Sequence, residues 1–174
     1  MRQALRNAFG EDITECITET NSILIEVFDC YDCIPTQQRS YIKTSEGQPV
    51  HFTLRNPLNE SLIFAALDNC ILRSNDVSRC DFTIGNFRKL YFVEIKQVNT
   101  GQRATARKDA IQQLHSSIAL FRNRINLQNT DLNAVICLKA KQAHPVQSAK
   151  RVADIVAFKE NFKANLMEGQ IDNF

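Results

Sequence analysis

The chain has 174 residues, 44% of them hydrophobic, and 21 Lys and Arg against 19 Asp and Glu, for a formal net charge of +2. This is a normal length for one domain with one core, and a charge this small means that any basic footprint for nucleic acid must be local. No run of about 20 apolar residues could span a membrane, and the N-terminus lacks the charged-then-apolar pattern of a signal peptide, so a soluble, cytoplasmic protein is expected.

In chain order, Leu5, Phe9, Ile13 and Ile17 recur every four positions and predict one or two amphipathic helices before Thr20, with Gly10 as a break. Ser22 to Val27 is a β-branched run of strand type, and Gln37 to Gly47 is polar enough for a loop. Asn56 and Pro57 resemble a helix start, with Asn56 as N-cap and Leu62, Ile63, Ala66 and Leu67 as an apolar stripe. Glu60 falls in the first turn of that helix, where an acid complements the dipole.

The stretch Cys80 to Lys96 follows, CDFTIGNFRKLYFVEIK. Asp81 to Ile84 and Leu90 to Lys96 are rich in β-branched and aromatic residues around a Gly85-Asn86 turn, which predicts two antiparallel strands. Beyond Lys96 comes a polar loop and then a helix to about Arg124, with Ile111, Leu114, Ile118 and Phe121 on one face. Leu132 to Leu138 is a continuous apolar run, as in a buried central strand, and Ser148 to Leu166 carries the apolar spacing of a helix packed on the sheet.

Six cysteines stand at positions 16, 30, 33, 70, 80 and 137, and only Cys30 and Cys33 have C-x-x-C spacing. With no second pair and no secretion signal, they are expected to be buried free thiols, with a redox or metal role for Cys30-Tyr31-Asp32-Cys33 as the alternative. His51, His115 and His144 form no metal-binding group and are assigned no chemistry.

The chemistry concentrates in the hairpin. Side chains of a strand alternate between faces, so Glu94 and Lys96 project from one face with Ile95 on the other. A surface ion pair on the wet face of a sheet would explain these two alone. Asp81, at the far strand of the same hairpin, adds a second carboxylate that cross-strand pairing brings close to Glu94. Two such charges repel, and a hard divalent cation bound through oxygen relieves the repulsion.

Asp81 and Glu94-Ile95-Lys96 resemble the Asp and Glu-x-Lys motifs of the PD-(D/E)XK nuclease superfamily, although Cys80 replaces the proline of the motif. That superfamily's core reads helix, strand, hairpin, helix, strand. The resemblance extends to Asp68 to Leu72 as the preceding strand and Ala110 to Leu114 as the following helix, covering about residues 56 to 140. It implies a single α/β domain with a restriction-endonuclease-like mixed sheet flanked by helices, an N-terminal α/β extension over 1–55 and a C-terminal helix near 148–166.

The resemblance also implies a Mg²⁺-dependent endonuclease, with Mn²⁺ as substitute, in which Asp81, Glu94 and the carbonyl of Ile95 hold the ion. Lys96 would position and activate the attacking water, and Glu60, with Asp68 as its rival, would complete the metal shell. Gln113 would match the helix glutamine that orders the lysine, the water or the phosphate. Arg103, Arg107, Lys108, Lys139 and Lys141 are then phosphate contacts, which hold the backbone without reading sequence.

DNA is favoured over RNA as the substrate, and a homodimer or partner protein would supply specificity. Short nucleases of this kind resemble effectors of prokaryotic defence and mobile-element systems. The alternative is a catalytically inactive protein of the same fold, acting as a nucleic-acid-binding or immunity-type interaction subunit.

Overall fold

A computed structural model describes residues 1–34, 37–73, 78–98, 100–139, 149–169 and 171–174. In chain order they form α1 (Arg2–Phe9), β1 (Ile17–Thr20), β2 (Leu24–Asp29), β3 (Ser40–Ile42), β4 (Phe52–Arg55), β5 (Leu62–Ala66), β6 (Phe82–Gly85) and β7 (Lys89–Gln97). There follow α2 (Arg103–Arg124), β8 (Asp131–Lys139), α3 (Ala149–Phe162), β9 (Ala164–Glu168) and β10 (Ile171–Asn173). A six-stranded mixed sheet has the order β1-β5-β6-β7-β8-β9, and a four-stranded sheet the order β10-β4-β2-β3. Among the described residues no helix is long and apolar enough to cross a membrane.

The expected hairpin lies at the middle of the larger sheet. β6 and β7 are antiparallel, with Phe82 opposite Val93 and Gly85 opposite Leu90. Gly85 has φ of +151°, and a Cβ there would sit 2.2 Å from the carbonyl oxygen of Lys89. Only a residue without a side chain tolerates both the dihedral and the contact. Gly85→Ala is therefore expected to cost roughly 2–4 kcal/mol of stability. Urea unfolding checks this, and a midpoint equal to that of the wild type would contradict it.

β7 and β8 are parallel, so the chain must cross over between them, and α2 makes that crossing. Helix α2 buries Ala110, Leu114, Ile118 and Phe121, the expected face with Ala110 added and Ile111 half-buried. Phe92 of β7 meets Phe121 edge-on at 5.1 Å between ring centroids. On the other face of the strand, Tyr91 donates its hydroxyl to the carbonyl of Asn173, and Phe82 meets Phe52 at 5.7 Å. Alternation along β7 thus turns Phe92, Glu94 and Lys96 toward α2, and Tyr91, Val93 and Ile95 toward the smaller sheet.

Several expectations are corrected. Residues 62–66 form a strand and not a helix, with all five side chains buried. A run apolar on every side suits a sheet interior covered on both faces better than a one-faced helix. The Asn56 side chain does accept the backbone N–H of Glu60 at 3.0 Å, but it closes only a short turn. Asn59, at φ of +50°, adopts the left-handed conformation that stops a helix from propagating. Residues 68–72 form a turn with one isolated bridge, Asp68 to Leu72, in place of the expected strand.

At the N-terminus the helical spacing ends in β1 at Ile17, which joins the larger sheet antiparallel to β5. The polar stretch expected as loop contains β3, and the expected C-terminal helix ends at Phe162, with β9 continuing parallel to β8.

The cysteines are also corrected. Cys16–Cys70 and Cys30–Cys33 are disulfides, while Cys80 and Cys137 are the buried free thiols. The pairing of Ile17 with Ala65, and the bond from Ile71 N–H to the Ala66 carbonyl, bring Cys16 beside Cys70 across 54 residues.

Candidate metal centre

Asp81 immediately precedes β6, where its backbone continues the ladder: its N–H donates to the Val93 carbonyl at 3.1 Å. Its carboxylate accepts the N–H of Ile95 at 2.5 Å, which ties the acid to β7. Glu94 and Lys96 stand on one face as expected, with Lys96 Nζ donating to Glu94 Oε1 at 2.6 Å. This pair is not on a wet surface, because the Glu94 side chain is only 1% exposed. Its second oxygen, Oε2, is buried without a hydrogen-bond partner.

The three side chains border a pocket of about 440 Å³ that also takes in Asp29, Asp68 and Gln113. Gln113 donates to the Arg79 carbonyl at 3.0 Å and leaves its own amide oxygen buried and unbonded. Asp68 accepts from Arg79 Nε at 2.6 Å. Among the described residues, four acids thus stand with one ammonium and one guanidinium, an excess of two acidic groups around a half-open pocket.

The electrostatics follow from that excess. Burial pushes the Asp81 carboxyl well above the usual range, and the charges of Glu94 and Asp29 push it further. Burial raises Glu94 to about 7, against the opposing pull of Lys96. Burial would lower Lys96, but the Glu94 carboxylate beside it holds its pKa above the ordinary value, so the ammonium stays charged at neutral pH.

Asp29 and Tyr31 were not anticipated. Asp29 ends β2 in the smaller sheet, where its N–H donates to His51 Nδ1 at 3.0 Å and Ser40 donates to its carboxylate at 3.2 Å. His51, assigned no chemistry above, thus fixes the end of β2. Tyr31 donates its hydroxyl to the Ile95 carbonyl at 3.3 Å. Burial and the nearby Asp29 and Asp81 raise the Tyr31 pKa, so it remains a neutral donor. The only signal in the sequence is an acid at the end of a β-branched run; its pairing with residues 81–96 is a matter of tertiary structure.

The remaining expected site residues are elsewhere. Glu60 pairs with Arg88 and accepts from Asn86 at 3.2 Å, at the turn end of the hairpin and the far end of β6 from Asp81. Asp68, its rival, is the acid that lines the pocket. Arg107 is buried and ion-paired to Asp154 and Glu168, so its charge is spent within the fold and does not face a phosphate. Arg107→Ala is expected to lower stability by roughly 2 kcal/mol, because it takes the cation from Asp154 and leaves Glu168 with Arg151 alone. A thermal melt unchanged from the wild type would contradict this.

Lys108 is exposed and Arg103 half-buried, both in the first turns of α2. Lys139 closes β8 opposite Gln97, at the same end of the sheet as Lys96. Lys141, like His144, lies outside the described residues.

The donor set suits a hard divalent cation: carboxylates and one backbone carbonyl, with an orphaned carboxylate oxygen among them. Among the described residues, no three pocket carboxylates offer ligand atoms within 4.8 Å of one another, so water would complete the shell. The one group that does meet that spacing is Glu15, Cys16 and Cys70. Its two sulfurs are bonded to each other and Glu15 pairs with Arg39 and Arg73, which leaves it poorly suited to a cation. Compared with protein-family models, curated proteins and solved structures, the chain matches none.

Proposed function

We propose that this protein is a divalent-cation-dependent nuclease of PD-(D/E)XK type, hydrolysing phosphodiester bonds in nucleic acid, with DNA favoured over RNA. The observation that carries the reading is the buried Glu94 carboxylate, which lines a pocket with two more acids than cations among the described residues and has one oxygen without a hydrogen-bond partner. A structural ion pair needs neither the surplus nor the orphan. The succession of β5, the β6–β7 hairpin, α2 and β8 supports it further, because it follows the strand, hairpin, helix, strand part of that superfamily's order, with no helix directly before β5.

Mg²⁺ in this pocket would supply Lewis-acid stabilisation to phosphate oxygens as charge accumulates on them. Asp81, Glu94 and the Ile95 carbonyl are the residues that would hold it, with Asp68 in the part first assigned to Glu60. Lys96, kept protonated by Glu94, acts as a donor that orients the attacking water and the phosphate and does not take up a proton. Gln113, with an unbonded amide oxygen, is suited to accept from that water. Arg103, Lys108 and Lys139 would bind flanking phosphates. Specificity would come from a second copy or a partner protein.

A second reading, an inactive protein of this fold used for binding, draws on the Tyr31 hydroxyl, which occupies the Ile95 carbonyl. Incubating the protein with end-labelled DNA and RNA, in Mg²⁺ or in a chelator, separates the two. Metal-dependent cleavage of either substrate supports the nuclease, and intact substrates in both conditions support the binding protein.

A further inference from the structure

The motif acids all come from the hairpin, yet the pocket has a wall from a different sheet. Asp29 closes β2 and lines the same pocket as Asp81, Glu94 and Lys96. Its backbone is fixed by His51 and one carboxylate oxygen by Ser40, so its position is set by the smaller sheet independently of the hairpin. Its charge acts on both Asp81 and Glu94. An acid held this firmly in a pocket with three others costs stability, which Lys96, paired at 2.6 Å with Glu94 alone, relieves only in part. Glu94 Oε2, in a side chain that is 1% exposed, is left without a hydrogen-bond partner and is free to take a positive ligand.

We propose that Asp29 is a further carboxylate of the cation site, reaching the ion through a bound water because no three pocket carboxylates among the described residues converge, so that the ion is held between the two sheets and not by the hairpin alone. This rests on the nuclease reading for the identity of the ion as Mg²⁺ or Mn²⁺. Tyr31, two residues on, lines the same pocket, so the end of β2 and the turn after it form one wall of the site. The smaller sheet then takes part in metal binding and is no mere accretion on the core.

The test is calorimetric titration of Mn²⁺ into the wild type, Asp81→Asn, Asp29→Asn and Ser40→Ala, paired with the Mg²⁺ dependence of cleavage. Asn at position 29 keeps the acceptor for Ser40 and removes only the charge. Asp29→Asn is expected to weaken Mn²⁺ binding about 10-fold to 100-fold, as loss of a carboxylate near a metal usually does. Excess Mg²⁺ should restore its cleavage rate, a recovery that a misfolded site would not show. Ser40→Ala, which keeps the charge but frees it to move, should weaken binding about threefold, and it decides the matter if Asp29→Asn does not fold. Wild-type affinity in Asp29→Asn, or in Ser40→Ala where that variant decides, overturns the proposal while the loss in Asp81→Asn leaves the nuclease reading intact. No binding by the wild type overturns both.

Discussion

Asp81→Asn and Lys96→Ala are each expected to lower metal-dependent cleavage by at least about 100-fold, the scale on which removal of a preorganised charge affects a transition state. The two losses should differ in kind. Asn at position 81 can still accept the Ile95 N–H but brings no charge to the pocket, so cation binding and cleavage should fail together. Lys96→Ala removes the positive charge beside Glu94, so cation binding should persist or tighten while cleavage is lost. Calorimetry and a gel assay on the same preparations distinguish the two patterns. Full activity in either variant would sink the assignment of these residues, and loss of cation binding in Lys96→Ala would sink the role given to the lysine.

The second large effect is on stability and runs opposite to the usual behaviour of a salt-bridged acid. Burial raises Glu94 from 4.5 to about 7 in the folded protein. Its neutral form is therefore favoured by folding, and its contribution is fully present below pH 4.5 and lost as the pH rises through about 7. At 1.36 kcal/mol per pH unit the loss is on the order of 3 kcal/mol, to which the similarly raised Asp81 adds in the same direction. The metal-free protein should thus melt on the order of 5 °C lower at pH 8 than at pH 5.5. Mg²⁺ binds the ionised carboxylates, so it should raise the melting temperature at pH 8 and scarcely at pH 5.5. Scanning calorimetry at the two pH values, with metal and with chelator, reads all four numbers. A metal-free protein more stable at pH 8 would contradict the burial of charge described for this pocket.

The sequence made the hairpin readable because the turn and both strands carry local signals: Gly85-Asn86 between β-branched and aromatic runs, with alternation that sets Glu94 and Lys96 together. Helix α2 and strand β8 were readable for the same reason, a period of 3.6 in one and a continuous apolar run in the other. β5 was not, because Leu62, Ile63, Ala66 and Leu67 satisfy the i, i+4 spacing of a helix as well as the apolar run of a buried strand. Only the neighbours on both faces decide between them.

The same limit governs the site. Asp81, Glu94 and Lys96 lie within one hairpin and could be read locally, whereas Asp29 and Tyr31 come to the pocket from another sheet, Tyr31 reaching the Ile95 carbonyl across 64 residues. Arg107 looked like a free cation because its partners lie 47 and 61 residues further on, at Asp154 and Glu168. Glu60 likewise faces Arg88 and not the motif acids, since the strand that follows it runs toward Asp81 from the opposite end of the sheet.

The claim that the pocket is a cation site is tested most directly by calorimetric titration of Mg²⁺ into the wild type and Asp81→Asn at pH 8. Saturable binding by the wild type, lost in the variant, is expected. Absence of binding by the wild type, or equal binding by both, would contradict it.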